Sequence, residues 1–284
     1  LISSPGSHDS LSYSIKNDAP LSPDAEPEVK SLEKAFGCLM RRIMHRWCVT
    51  QKYTITEQLN LGIRFFDFRV SVKVEDDNFY FVHGMYGEEI NGPLNDILRF
   101  LQDRDNEIAI LDFQHFYALG PQEHMRLIGL LKDVFCPAIC PLPDNIADVT
   151  LAWMKQKGYK VIIIYRDKSC LGDVCLWPSK RWPTPWPETM SPATLINFLE
   201  SGTKTRPTNC GYVSQCLLTP TKSTVATHVF SDIRKKCARP AALVTIPWLE
   251  SKHDGCINVA IADFVEDNDG IFPRTVVSLN KTSK

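Results

Sequence analysis

The chain has 284 residues, of which 44% are hydrophobic and 23% are charged, so it carries enough apolar material for a complete core. Its 32 basic and 33 acidic residues leave a net charge of −1, which excludes the broad positive face of a nucleic-acid-binding protein. No uncharged apolar stretch approaches the length of about 18 residues that a membrane-spanning helix needs.

The ten cysteines do not have the spacing of a disulfide scaffold or a zinc site, and no Cys-x-x-Cys motif occurs. We therefore favour free thiols and a cytoplasmic protein, and a secreted, disulfide-bonded protein stays open as the alternative. The chain begins with Leu1 rather than Met. We expect an N-terminal truncation ahead of a single domain that spans residues 1–284.

Apolar runs with helical and with strand spacing alternate along the chain. A polar, proline-bearing stretch at residues 16–28 precedes a predicted helix at 29–47, whose apolar positions recur every three or four residues. Further helices are predicted after Pro93 and at 121–135, 192–200 and 224–237. Strands are predicted at 62–70, 79–83, 107–113, 159–165, 211–218 and 257–264, and residues 1–4 would open the first of about seven strands.

Most of these strands are continuous apolar runs without strict alternation, which is typical of parallel strands that are covered on both faces. Repeated strand–helix units of this length indicate a barrel or a doubly wound sheet. The glycine-rich loops of nucleotide-binding folds do not occur in the sequence. We therefore predict an α/β protein with a distorted (β/α)8 barrel in one domain.

Polar or ionisable side chains follow the apolar run of each predicted strand. They include His8, Asp9, Asp67, Arg69, His83, Gln114, Arg166, Gln215 and Asp263. Because the carboxyl ends of barrel strands form one rim, these side chains are expected to meet in one ligand site.

Histidines, aspartates and arginines at one rim suit the cleavage of a phosphodiester. One imidazole can remove a proton from an attacking hydroxyl and another can protonate the leaving oxygen, while a guanidinium holds the phosphoryl oxygens. Taken singly, His8 or His83 is better explained as a structural histidine. For His115 a structural role and a role in supporting the site are equally good interpretations.

Several segments together carry a family resemblance: Pro-Gly-Ser-His-Asp-Ser at 5–10, Gly-Ile-Arg-Phe-Phe-Asp-Phe-Arg at 62–69, Phe-Val-His-Gly at 81–84, Leu-Asp-Phe-Gln-His-Phe at 111–116 and Ala-Asp-Phe at 262–264. In order and spacing they resemble the phosphatidylinositol-specific phospholipase C X-domain-containing proteins, small eukaryotic relatives of bacterial enzymes. The resemblance covers nearly the whole chain. It implies a distorted barrel and activity on phosphatidylinositol.

The resemblance also implies roles for the catalytic residues. His8, oriented by Asp263, would be the general base that takes the proton of the inositol 2-hydroxyl. His83, supported by Asp9, would be the general acid for the diacylglycerol oxygen. The products would be diacylglycerol and inositol 1,2-cyclic phosphate, which water can open later.

The remaining roles concern the phosphate and the inositol ring. By the same resemblance Arg69 would contact the phosphate, with Asp67 fixing neighbouring groups. Arg166 would reach the inositol hydroxyls. Gln114 and Gln215 are expected in the same pocket, where the bacterial enzymes carry more charged side chains.

The residue types argue against a metal. Calcium needs several oxygen ligands, and the calcium-dependent branch of the superfamily supplies carboxylates where this chain has Arg69 and Gln114. A fixed cation would repel a divalent ion, so we expect no metal and no cofactor. A metal-dependent phosphodiesterase remains a further hypothesis.

The expected partner is phosphatidylinositol in membranes, with no nucleic acid and no obligate protein partner, for a cytoplasmic protein peripheral to membranes. The segment 176–190 holds three tryptophans that either contact a bilayer transiently or pack on the barrel. An alternative to the enzyme is an inositol-lipid-binding protein with little or no turnover.

Overall fold

The computed structural model describes residues 2–73, 76–252 and 256–281. In this part of the chain nine strands pair into one curled sheet. The strands are β1 (Ser4–Ser7), β2 (Phe65–Val72), β3 (Phe79–Val82), β4 (Tyr86–Glu89), β5 (Ala109–Tyr117), β6 (Val161–Tyr165), β7 (Trp177–Pro178), β8 (Val213–Gln215) and β9 (Val259–Ala262).

Helices separate most of the strands along the chain. They are α1 (Pro27–Phe36), α2 (Cys38–Cys48), α3 (Ile55–Asn60), α4 (Asn91–Gln102), α5 (Pro121–Phe135), α6 (Leu151–Lys157), α7 (Pro192–Thr205), α8 (Lys222–Thr227), α9 (Arg239–Glu250) and α10 (Asp267–Ser278). None of the helices in the described ranges has the length and apolarity needed to cross a bilayer. All ten cysteines are free thiols.

Seven strands form a parallel path in the order β7-β6-β5-β2-β1-β9-β8, and this confirms the predicted distorted (β/α)8 fold. Regular strand pairing does not join β7 to β8. Instead, irregular backbone lies beside β8, where Gly211 donates to the carbonyl of Arg181 (3.0 Å) and Val213 to that of Pro183 (3.0 Å). The segment 181–183 therefore extends the barrel wall across this gap.

The predicted strand at 79–83 is a strand, but it is not part of the parallel wall. It forms β3, which pairs antiparallel with β2 and places Phe81 opposite Val70. β4 then pairs antiparallel with β3, with Tyr86 opposite Val82. The reason is the length of β2, which extends beyond the wall and provides an edge on which the returning chain can pair. The seventh parallel strand is the two-residue β7.

The first strand also differs from the expectation. It runs through Ser4–Ser7, so the Pro-Gly-Ser segment is the strand itself and does not follow it. Leu1 lies outside the described residues. β1 lies between β2 and β9, where a Cβ on Gly6 would come within 2.7 Å of Ile261 Cγ2 and 2.8 Å of Phe65 Cβ. Only glycine fits this close approach.

Two predicted helices are divided. The helix expected at 29–47 breaks at Gly37, whose φ of +51° and ψ of −123° are not helical, and this gives α1 and α2. The helix expected at 224–237 ends early, because α8 stops at Thr227 and a separate π-helical turn occupies Arg234–Ala238. Apolar periodicity identified both regions but not their breaks.

The core has two parts, one on each face of the sheet. Outside the barrel, Phe66, Leu111 and Ile163 pack against the helices. Inside it, a smaller apolar cluster includes Phe65, Ile110, Ile162, Ile164, Trp177, Trp182, Val213, Val259 and Ile261. Successive strand residues thus alternate between the two faces.

Candidate active site

The site continues the interior face of the barrel by the same two-residue alternation. Phe65 is followed on its face by Asp67 and Arg69, and Ile261 is followed by Asp263. Two further strands repeat this pattern, with Asp112 after Ile110 and Arg166 after Ile164. Gln114 lies at an irregularity of β5, where the register shifts and His115 becomes the partner of Arg69. Apolar side chains therefore fill the barrel floor and polar ones form its carboxyl-terminal rim.

His8 is held at both ring nitrogens. Its Nδ1 lies 2.7 Å from Asp263 Oδ1, so the Nδ1–H donates to that carboxylate, and its Nε2 lies 2.9 Å from Arg69 Nη2 and 3.4 Å from Asp9 Oδ2. Burial opposes a charge on this imidazole, but Asp9 and Asp263 outweigh it and raise the pKa of His8 above its usual 6.5. His8 is therefore a strengthened base with a fixed tautomer.

Asp9 connects the two histidines. Its fully buried carboxylate lies 2.5 Å from Arg69 Nε, 3.2 Å from His83 Nδ1 and 3.4 Å from His8 Nε2. Burial would raise the pKa of Asp9, but the Arg69 guanidinium and the two imidazoles lower it below the usual value. The backbone N–H of Asp9 donates to Asp67 Oδ2 (3.2 Å), so Asp67 anchors the loop that carries His8 and Asp9.

His83 follows the antiparallel strand β3 and faces His8. Its Nδ1–H donates to the carbonyl of Cys48 at the end of α2 (2.7 Å), which leaves Nε2 as the nitrogen that can deliver a proton. The centroids of the His8 and His83 rings are 6.3 Å apart. The next residue, Gly84, donates its N–H to Asp24 Oδ2 (2.6 Å) and is fixed by this bond.

Arg69 lies between the acids and the base. Besides Asp9 and His8 it approaches Asp67, with Nη2 to Oδ2 at 3.7 Å. Burial lowers the pKa of Arg69, but the two carboxylates more than reverse this, so the guanidinium stays charged.

Metal binding can be tested against the donor set. Ligand atoms of His8, Asp9 and Asp67 lie within 4.8 Å of one another and, among the described residues, are the group with the geometry to hold an ion. The Arg69 guanidinium is paired with the same carboxylates. A divalent ion bound at these ligand atoms would meet the positive charge of Arg69, which opposes its binding.

A second polar group lies beside the histidines. Arg166 donates from Nε and Nη2 to the two oxygens of Asp112 (2.7 and 2.8 Å) and also to the carbonyl of Trp182 (2.9 Å). Gln114 donates to Asp112 Oδ2 (3.1 Å). Burial raises the pKa of Asp112 to about 6, although Arg166 acts in the opposite direction. This group presents a guanidinium, a carboxylate and an amide to the rim.

The segment 176–190 forms one wall of the site. Trp177 and Trp182 are buried in the barrel interior, so the packing interpretation holds for these two side chains. Trp186 is half-buried, and its ring centroid lies 5.3 Å from that of His8. Gln215 reaches the same segment and donates to Thr184 Oγ1 (2.9 Å).

The structure thus places the residues predicted from the sequence in three groups. His8, Asp9, Asp67, Arg69, His83 and Asp263 form one cluster, Arg166 and Gln114 meet at Asp112, and Gln215 lies against Thr184. His115 is opposite Arg69 across β2 and β5 and stacks on Tyr117. Burial and Arg69 lower the pKa of His115.

Sequence reasoning missed several residues of the site. Asp112 lies two positions after Ile110 on the same face, and that alternation could have identified it. Gln51 donates to the carbonyls of His8 and Ala262 (2.9 Å each), but nothing in its sequence context marks it. Trp186 and Asp24 belong to connections whose course the sequence does not reveal.

The barrel fold of this chain is shared with solved phospholipases. The chain superposes on the phosphatidylinositol-specific phospholipase C of Listeria monocytogenes with a TM-score of 0.64 and 18% identity, over 98% of this chain and 93% of that one. A mutant of the Staphylococcus aureus enzyme gives a TM-score of 0.64 and 17% identity, over 98% and 92%. These likenesses show the fold.

Sequence comparison gives the family. The chain is 37% identical over 281 residues to PI-PLC X domain-containing protein 3 of Homo sapiens, covering 97% of this chain and 87% of that protein. It is 35% identical to PI-PLC X domain-containing protein 2 of Mus musculus, covering 97% of this chain and 81% of that protein. It is 30% identical to PI-PLC X domain-containing protein 1 of Danio rerio, covering 98% of this chain and 90% of that protein. No protein-family model matches it. The chain belongs to the PI-PLC X domain-containing proteins.

Proposed function

We propose that this protein cleaves phosphatidylinositol to diacylglycerol and inositol 1,2-cyclic phosphate without a metal ion. The observation that carries the proposal is the pair of imidazoles, 6.3 Å apart, with the Arg69 guanidinium in contact with the acid that joins them. The name of the solved neighbours, phosphatidylinositol-specific phospholipase C, supports the choice of substrate.

His8 acts first, as the general base. Its Nδ1–H is engaged by Asp263, so its Nε2 accepts the proton of the inositol 2-hydroxyl. The hydroxyl oxygen forms a bond to the phosphorus of the same molecule. Because nucleophile and phosphorus belong to one substrate, the protein needs only to position and deprotonate the hydroxyl.

His83 completes the reaction as the general acid. The bond between phosphorus and the diacylglycerol oxygen breaks, and that oxygen takes a proton from His83 Nε2. One proton is thus gained at His8 and one is lost at His83. The Asp9 carboxylate lies 3.2 Å from His83 Nδ1 and, with the Cys48 carbonyl, holds the ring so that Nε2 faces the leaving oxygen.

Arg69 supplies the positive charge at phosphorus. In the free protein its Nη2 lies 2.9 Å from His8 Nε2, so a bound phosphoryl oxygen would accept a hydrogen bond directly beside the base. A guanidinium stabilises the charge that accumulates on the phosphoryl oxygens in the transition state. This is the role that a divalent cation fills in metal-dependent enzymes.

The inositol ring is recognised by the group around Asp112. Arg166 donates to hydroxyl oxygens, Asp112 accepts from hydroxyl hydrogens, and the amides of Gln114 and Gln215 can do both. We further propose that the protein acts in the cytoplasm at the surface of membranes, since this is where the substrate lies.

The proposal is tested by diacylglycerol release from phosphatidylinositol vesicles in excess chelator. We expect turnover by the wild type and at least a 100-fold loss in His8→Ala and in His83→Ala, because each removes a proton-transfer group. His228→Ala is the control, since this exposed histidine directly follows α8 and bonds only locally, to Thr224 and Thr227.

Three results would overturn the proposal in different ways. Full activity of both histidine variants would refute the assigned roles. Activity that disappears in chelator would establish a metal-dependent phosphodiesterase. Tight binding to the vesicles without any diacylglycerol release would establish an inositol-lipid-binding protein.

A further inference from the structure

A large apolar groove lies between α1 and α2 on one side and α8 with the residues after it on the other. Its volume is about 630 Å³, which is within the range of ligand pockets of roughly 300–1,000 Å³. Leu32, Phe36, Leu39 and Ile43 line one wall, and Val225 and Val229 line the other. No residue assigned to the reaction lines this groove.

The inner end of the groove reaches the general acid. Met44 and Cys48 line the groove, and the Cys48 carbonyl accepts the hydrogen bond of His83 Nδ1 (2.7 Å). The same two side chains lie against the residue after His83, since a Cβ on Gly84 would meet Cys48 Sγ at 2.8 Å and Met44 Cε at 3.2 Å. The inner end of the groove therefore lies against the segment that carries His83.

The groove wall formed by α1 and α2 exposes several large apolar side chains. Leu32 is 45% exposed, Phe36 59% and Leu39 54%, and they lie along two consecutive helices. Contiguous apolar patches on proteins of this kind mark interaction surfaces. Arg42 and Arg46 are exposed on α2, and Arg46 donates across the groove edge to the carbonyl of Val229 (3.4 Å). At the opposite edge Lys222 pairs with Glu26 and Glu28. The positive side of the groove is therefore the α2 side, which suits the phosphate of an anionic phospholipid.

We propose that this groove binds the acyl chains of the inositol phospholipid while its headgroup occupies the rim. The proposal rests on the proposed function, in which the oxygen that leaves at His83 carries both chains. The glycerol backbone must emerge beside His83, and His83 is hydrogen-bonded to Cys48, which lines the groove. The groove then selects a lipid over a water-soluble phosphodiester with the same headgroup.

The first test compares substrates with and without chains, both in monomeric form. The groove variant is the double substitution Leu32→Gln and Leu39→Gln, and Leu243→Gln is the matched control, an exposed leucine on α9 outside the groove (78% exposed). Each buried methylene changes affinity by about fourfold. For dioctanoyl phosphatidylinositol we expect at least a tenfold loss of kcat/KM in the groove variant. For glycerophosphoinositol we expect none.

The second test does not depend on turnover. In a His8→Ala background, titration with monomeric dioctanoylglycerol is followed by calorimetry. We expect saturable binding that the two groove substitutions weaken at least tenfold and Leu243→Gln leaves unchanged. This result would support the groove even if the wild type proved to be inactive.

Other results would contradict acyl-chain binding. Equal losses on both substrates would show that the variant disturbs the reaction itself. Unchanged monomer binding with weaker vesicle binding would make this face a membrane-contact surface. Dissociation of a dimer by the groove substitutions, with no lipid binding, would show that a second copy of the chain covers it.

Discussion

His8 and Asp263 come from opposite ends of the chain, and their side chains meet through one hydrogen bond of 2.7 Å. Gln51 holds the two backbones at this point by donating to the carbonyls of His8 and Ala262. The aspartate thereby selects the Nδ1–H tautomer and leaves Nε2 free of its proton, as a general base requires.

Replacing Asp263 by Asn tests this coupling. The base must be neutral, so kcat/KM falls as pH drops through the pKa of His8, which Asp9 and Asp263 hold above 6.5. In Asp263→Asn that acidic limb moves to lower pH, and kcat falls by about 10²–10⁴-fold. The pH profile of kcat/KM measures the shift, with the exposed Asp144→Asn as control. An unmoved limb would contradict the assignment.

Asp112 lies at the centre of the group that we propose to bind the inositol ring. Its carboxylate binds Arg166 with two hydrogen bonds and also accepts from Gln114. In Asp112→Asn the guanidinium loses a charged bidentate partner, which is worth about 1.5–3 kcal/mol. We expect KM to rise by about 10–100-fold while kcat changes less. Initial rates at pH 8 over a range of substrate concentrations give KM and kcat separately. A loss confined to kcat would contradict a role of Asp112 in binding the inositol ring.

At the scale of elements, the β3–β4 hairpin sets the position of His83, the proposed general acid. β3 returns along β2, so His83 enters the site from the side and not from the end of a barrel strand. Gly84 makes the turn with φ +67°, packs against Cys48 and is held by Asp24. The location of His83 therefore depends on Gly84, which has a left-handed backbone conformation and no room for a side chain.

Two glycine substitutions separate the effects of conformation and crowding. Gly84→Ala adds a methyl group that collides with Cys48, while Gly158→Ala has a similar φ of +76° and nothing within 4 Å. Both should lower the free energy of unfolding by about 1–2 kcal/mol. Only Gly84→Ala should also reduce kcat, by at least tenfold, because it displaces His83. Denaturant unfolding and initial rates measure these effects, and equal kcat values would refute the argument.

At the scale of the whole molecule, the barrel is completed by irregular chain. The residues at 181–183 pair with the start of β8, and Trp182 packs beside Trp177 in the interior with ring centroids 5.9 Å apart. Four residues later, Trp186 contacts His8. The same segment thus completes the wall and covers the site.

Alanine substitutions of these two tryptophans should have different effects. Trp182→Ala leaves a cavity in the interior and should cost about 3–5 kcal/mol of unfolding free energy. Trp186→Ala removes a half-buried ring, so it should cost less than this and mainly impair turnover through the lost contact with His8. Denaturant melts and initial rates distinguish them. Equal stability losses would show that Trp186 is also part of the core.

The sequence alone determined the residue types, the alternation along each strand and the rim to which they belong. These are local properties, since the two-residue period places Asp67 and Arg69 on the face of Phe65 in any parallel barrel. Only the tertiary structure decided that His83 arrives on an antiparallel hairpin, that Arg166 pairs with Asp112 and that Trp186 lies beside His8. Those contacts join distant segments, so they depend on strand register and on the course of irregular connections, which local spacing does not encode.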